Sequence, residues 1–256
     1  MGRADNTNFS IIDETDDYIV VDKPAPLQIH PGSLHGAPTL WHGLKDLLAY
    51  EMANGGQVSI INRLDRETSG TVLVAKHQPA ARRYGIAMQE HRIHKVYHAI
   101  VHGWPEWQTL DLEAPILRKG EVTESIIWVR QMVHETGAEC RTDFKVLKCV
   151  EHPIAGKLAL VQAAPVTGRM HQIRVHLSHL GFPILGDKIY GLDEQCYLDF
   201  IDTGWTPDLE KRLFSSRQAL HSHRLEISTP EFAQAWTCDL PPELNRWLME
   251  ASVSSD

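Results

Sequence analysis

The side chains with the most chemistry to offer in this 256-residue chain lie in two short stretches. The first is Asn62-Arg63-Leu64-Asp65-Arg66-Glu67-Thr68-Ser69-Gly70, where Arg63, Asp65, Arg66 and Glu67 put four charges into five residues. Carboxylates that accept protons stand beside guanidinium groups that attract anions. Taken alone, such a turn reads as a solvated loop capped by its own Asp and Thr side chains. The second is Thr167-Gly168-Arg169-Met170-His171-Gln172-Ile173-Arg174-Val175-His176. On a helix His171, Arg174 and Val175 share one side, with Arg169 and Gln172 round from them. Its plain reading is a helix start with a cationic surface. Fifteen histidines raise a metal site as a further possibility, with His94, His98 and His102 the best-spaced ligands. The β-branched and aromatic residues among them predict a strand, which sets neighbours four apart at about 13 Å and prevents a shared ion.

Several elements must position these groups. Tyr18-Ile19-Val20-Val21 reads as a buried strand ended by Lys23-Pro24-Ala25-Pro26. An amphipathic helix is predicted over 39–52 with Thr39 as its cap, followed by strands at 58–61 and 71–76 on either side of the charged turn. A helix through about Glu90 has Pro79 in its first turn, and Lys95–His102 alternates as a strand. The middle is strand-rich, with segments 121–130, 142–150 and 157–163. A helix over 170–180 ends at Gly181, and two short helices fill 191–216. Strands at 219–228 and 233–238 and a helix over 241–250, with Leu244, Trp247 and Leu248 inward, complete the chain. The whole reads as one α+β domain over 9–250, with tails at 1–8 and 251–256.

Composition narrows the function classes. Hydrophobic residues at 43% and charged residues at 23% are ordinary for a soluble globular protein. Cys140, Cys149, Cys196 and Cys238 form no C-x-x-C pair, which excludes a zinc ribbon and a thioredoxin-type motif. Dinucleotide, Walker, nucleophile-elbow and zinc-protease signatures are absent. With no signal peptide and no long apolar run, a cytoplasmic location without a membrane partner is expected. The formal charge of −8 argues against indiscriminate nucleic-acid binding, but it is unevenly spread. Residues 61–100 hold seven Lys and Arg against three acids, and 169–191 hold three against one. The two chemically rich stretches are therefore locally cationic on an acidic chain.

Together these stretches resemble the RluA-type pseudouridine synthases. That family carries an H-R-L-D-x-x-T-S-G motif and, later, T-G-R-x-H-Q-[IL]-R-V-H followed by G-x-P-I-x-G-D-x-x-Y-G. The later pair stands here as Thr167–His176 and Gly181–Gly191. Val20-Val21-Asp22-Lys23-Pro24 with His30-Pro31, Lys95-Val96-Tyr97-His98-Ala99, and Leu220-His221 fit in the same order, so the likeness spans about residues 11 to 240. Two departures stand out. Asn62 replaces the usual His, which puts substrate handling in question, and the segment 191–216 is longer than in many members. No S4-like RNA-binding domain fits before residue 11, so the likeness is to the compact members.

The resemblance implies a single pseudouridine-synthase-type catalytic domain, with a mixed, mostly antiparallel sheet flanked by helices and loops. It implies an RNA uridine isomerase acting on ribosomal or transfer RNA, without cofactor or metal, and a monomer is the default. It casts Asp65 as the essential carboxylate, acting as nucleophile or as base at C2′, with Arg174 as the cation that keeps it ionised. By the same likeness Tyr97 stacks on the flipped uracil, and Arg63 fills the space the base leaves. Arg66, Arg169, His171 and Gln172 are the remaining candidate RNA contacts. A catalytically silent RNA-binding assembly factor on the same scaffold is the alternative. A retaining glycosidase would need a second acid about 5 Å from Asp65; Glu67 is near in sequence, but the surrounding motif does not support that use.

Overall fold

Long β-branched runs do become strands in the computed structural model, which describes residues 8–32, 36–230 and 232–249. The expected tails fall outside these residues except for Asn8. By their contacts the residues form two compact units. One comprises the chain up to Lys95 with His221–Asp239, the other Val96–Leu220 with the residues from Leu240 on.

In the first unit, β1 (Ser10–Glu14) pairs antiparallel with β2 (Tyr18–Lys23). Two helices, α1 (Leu40–Leu47) and α2 (Ala49–Ala53), follow, and the short β3 (Ser59–Ile60) leads into the charged turn. β4 (Ser69–Ala75) then pairs antiparallel with β2 along its length and with β3 at its far end. Helix α3 (Gln78–Gln89) and the start of β5 (Ile93–His102) come next. Every residue of β4 is buried, as is most of β2, because both sheet faces are covered. Tyr18, Val20, Leu73, Tyr84, Leu225 and Trp236 form the core over which α3 lies. The late strands β11 (Leu220–Ser228) and β12 (Ala233–Thr237) pair antiparallel. β11 runs parallel to the start of β4, with His221 opposite Ser69 and Ser222 opposite Gly70.

In the second unit, β5 pairs with β10 (Gly156–Pro165), β10 with β9 (Arg141–His152), and β9 with β6 (Thr109–Glu113), all antiparallel. β7 (Ile116–Arg118) and β8 (Gln131–Val133) make a separate two-stranded ribbon. Helix α4 (Gln172–His179) packs its buried side with Ile116, Ile127, Cys140, Ile189 and Tyr190. Helices α5 (Gln195–Thr203) and α6 (Pro207–Leu213) fill the long 191–216 segment around Cys196, Leu209 and Leu213. α7 (Pro242–Asn245) ends the described chain, followed by a 3-10 turn over Arg246–Leu248. The α+β class and the mixed, mostly antiparallel pairing match the expectation.

Three local expectations are corrected. The helix over 39–52 is broken at Leu48, whose backbone leaves helical values (φ −97°, ψ 26°) while its side chain stays buried with Leu40 and Leu44. The strand over 121–130 does not exist. Its β-branched residues Val122 and Ile126 face solvent, and the hydrogen bond from the Lys119 amide to the Arg130 carbonyl closes the segment into a loop between β7 and β8. The final helix is shorter than 241–250, although Leu244, Trp247 and Leu248 are inward as expected.

The β4–β11 approach depends on one residue. Gly70 has φ +112°, and a Cβ there would stand 2.2 Å from the Ser222 carbonyl oxygen. Gly70→Ala should therefore lower stability by about 2–3 kcal/mol in urea unfolding. Gly85→Ala, in open space on α3, should be neutral or stabilising by about 0.5–1 kcal/mol. Equal shifts for the two variants would contradict the assignment.

Candidate active site

The charged turn is displayed by its apolar and amide neighbours. Asn62 and Leu64 point inward, Arg63 and Arg66 are exposed, and Asp65 is half-buried between them. Asn62 is 4% exposed; its amide donates to the Thr71 carbonyl (3.0 Å) and accepts from the Leu73 amide (2.8 Å). The residue that stands in place of the usual His thus attaches the turn to β4. On the other side lies Lys23, fully buried, whose ammonium donates to the carbonyls of Pro24 (2.9 Å), Leu27 (2.8 Å) and Arg66 (3.3 Å). The Leu27 amide also donates to the Arg66 carbonyl, at 2.8 Å. Beyond the turn, Ser69 and His221 share a buried 2.9 Å hydrogen bond, and Thr71 meets Ser222 at 2.9 Å. The segment carrying Asp65 is thus clamped at both ends by buried polar contacts.

Arg63 forms no ion pair among the described residues. Its charge instead acts on His30, whose pKa is depressed by partial burial and then by the nearby guanidinium.

In the second unit, Tyr97 sits on β5 on the same face as Ala99 and Val101, all buried. The Thr167–Gln172 segment turns into α4 through His171, which takes left-handed backbone values (φ 58°). His171 Nδ1 shares a 2.8 Å hydrogen bond with the Tyr190 hydroxyl, which also accepts from the Gln131 amide. Arg169 is exposed, with a long contact to the Glu139 carbonyl (3.4 Å).

Gln172 is corrected as an RNA contact. It is 4% exposed, and its oxygen accepts from Thr167 Oγ1 (2.8 Å) and the Arg169 amide (3.0 Å). Its nitrogen donates to the Arg141 carbonyl (2.8 Å) and Thr142 Oγ1 (2.9 Å). All four hydrogen-bonding positions of the amide are in use, which ties the turn before α4 to β9.

Arg174 is likewise no surface residue. It is 5% exposed, bidentate on Asp187 at 2.6 and 2.9 Å, and its guanidinium lies 5.0 Å from the centre of the Tyr190 ring. Asp187 is wholly buried and also accepts from the amides of Ile189 and Tyr190, each at 3.0 Å. Burial opposes its ionisation, but the Arg174 charge and these hydrogen bonds outweigh burial and hold its pKa below the usual carboxylate value.

Residues 17–179, spanning both stretches, match the family model for RNA pseudouridylate synthases. The chain belongs to the RNA pseudouridylate synthase family. Its ordered motifs and relatives place it with the RluA type. An uncharacterised RNA pseudouridine synthase of Chloroflexus aurantiacus is 35% identical over 87% of this chain and 63% of its own length. Ribosomal large subunit pseudouridine synthase D of Nitrosomonas europaea is 33% identical over 94% of this chain and 65% of its own length. The chain thus spans a little under two thirds of these relatives. In solved structures, human RNA pseudouridylate synthase domain containing 1 shares the fold, with a TM-score of 0.71 at 24% identity over 98% of this chain and 94% of that one.

Within this synthase-family chain the first unit brings Arg63, Asp65 and Arg66 together on one turn. The second holds Tyr97, Arg169, His171, Gln172 and Arg174. Lys23 and Asp187 received no role from sequence reasoning, although both lie in quoted motifs; what singles them out is burial of a charge. Among the described residues no three His, Cys, Asp or Glu side chains are grouped to hold a metal ion, and His94, His98 and His102 lie along strand β5.

Asp187→Asn removes the anion that faces a buried guanidinium, so it should cost about 3–5 kcal/mol at pH 7. Because the pKa of Asp187 is lowered, its contribution is complete above the unfolded value of about 3.9 and is lost as pH falls through the lower folded value. Urea unfolding should accordingly show the full gap between variant and wild type at pH 7 and pH 5. The gap should narrow only below about pH 4. A variant as stable as wild type at pH 7, or a gap already closed at pH 5, would count against this pairing.

Proposed function

We propose that this chain isomerises specific uridines in ribosomal or transfer RNA to pseudouridine, in the cytoplasm. The C1′–N1 bond breaks, the uracil turns, C5 joins C1′, the C5 proton leaves and N1 takes up a proton. Atoms balance within the nucleotide, so the step needs no oxidant and no external nucleophile. An atom within a stacked helix is out of reach, so the target nucleotide is flipped out at a cost of a few kcal/mol.

Asp65 is the carboxylate of this reaction, whether it attacks C1′ or removes the C2′ proton. Either route uses its ionised form. Arg174 supports that charge, Tyr97 stacks on the displaced uracil, and Arg63 occupies the vacated space. Arg66, Arg169 and His171 meet the RNA around it. What carries the reading is the turn itself, in which buried Lys23, Asn62 and Leu64 leave Arg63 and Arg66 exposed on either side of a half-buried Asp65. An exposed arginine without an ion pair suits a side chain awaiting a planar base better than one bracing a loop. The name of the Nitrosomonas relative favours large-subunit ribosomal RNA as the first target to try.

Asp65→Asn should bind RNA with affinity close to that of wild type and form no pseudouridine, as read by tritium release from [5-3H]uridine RNA. Wild-type turnover by that variant would sink the mechanism. A wild-type protein that binds RNA yet modifies none would favour the silent assembly factor.

A further inference from the structure

The loop between β7 and β8 contains a surface that the isomerisation chemistry does not use. Trp128 is 75% exposed, beside Ile126 at 71% and Val122 at 44%. Large apolar side chains grouped and exposed in this way mark a contact surface. The Arg118 guanidinium covers the Trp128 ring at 3.8 Å from its centre, and Arg118 is itself steadied by Glu121 at 3.5 Å. The loop is also built to hold this display. Ile127 is buried in the core beneath α4, the Ser125 hydroxyl donates to the Ile127 carbonyl, and the Arg130 amide donates to the same carbonyl. The Lys119 amide closes the loop on the Arg130 carbonyl, and Glu194 pairs with both Arg130 and Lys119. One buried isoleucine thus turns its two neighbours outward.

We infer that Trp128, backed by Arg118, is a stacking platform for an unpaired nucleobase of the RNA substrate, separate from the flipped uridine. The inference rests on the proposed RNA function and adds to it a contact of stated chemistry. An aromatic ring with a guanidinium over it offers both base stacking and cation–π attraction, the combination that recognises single-stranded RNA without reading sequence. Arg118, Lys119 and Arg130 against Glu121 and Glu124 leave no excess negative charge in the loop to repel phosphate. A purely apolar protein-docking surface would use the area of Trp128 but not its π-face, and that difference can be measured.

The test uses the full chain as wild type, Trp128→Leu and Trp128→Phe, with a fluorescein-labelled RNA hairpin bearing a uridine-rich loop and a fully paired duplex as probes. Trp128→Leu should weaken hairpin binding by about 5- to 150-fold, whereas Trp128→Phe should stay within roughly threefold of wild type. Binding to the duplex should be alike for all three, and thermal midpoints should coincide because the side chain is exposed. Leu binding the hairpin as well as Phe, or both matching wild type, overturns the platform. If wild type forms pseudouridine while the variants bind normally, this inference fails alone. If the variants separate as stated while wild type forms no pseudouridine, the functional reading fails and the platform stands.

Discussion

A guanidinium taken out of water needs its charge compensated, and for Arg174 the compensating anion is the wholly buried Asp187. Its two oxygens take both the Arg174 fork and the amides of Ile189 and Tyr190. The same carboxylate therefore neutralises the charge and bends the chain that delivers the Tyr190 hydroxyl to His171 and Gln131. His171 holds the left-handed turn into α4, and Gln172 bolts that turn to β9. One ion pair is thus shared by a helix start, a following turn and an aromatic ring. The Arg174 guanidinium is thereby fixed in direction by its fork on Asp187.

The first unit solves the complementary problem of holding a half-buried carboxylate on a turn without a helix to carry it. Its means are a buried ammonium, Lys23, that gathers three carbonyls, and a buried amide, Asn62, that grips β4. Gly70 then allows β11 to come close enough for His221 and Ser222 to lock the start of β4. Rigid surroundings leave Arg63 and Arg66 outward while their neighbours are anchored.

Much of this was legible from residue types. Continuous β-branched runs announced β2 and β4, and the 191–216 segment holds its two expected short helices, α5 and α6. Ordered motifs located the Asp65 turn and the start of α4. Pattern failed where side-chain direction decided the outcome. Val122, Ile126 and Val129 have strand-forming shapes, yet the loop closure at Lys119 and Arg130 turns the first two to solvent. Gln172 looks like a ligand for RNA in one dimension, and burial with full hydrogen bonding makes it a bracket instead. Asp187 showed the reverse: a charge within a glycine-rich motif gave no hint that Arg174 was its partner, because 13 residues separate them.

The proposed activity is the making of pseudouridine at defined positions in cellular RNA. Pseudouridine mapping across total RNA, comparing cells with and without the protein, tests it most directly. The account predicts that one or a few uridines in ribosomal or transfer RNA lose the modification and regain it with the wild-type chain. An unchanged map in every RNA class would contradict it.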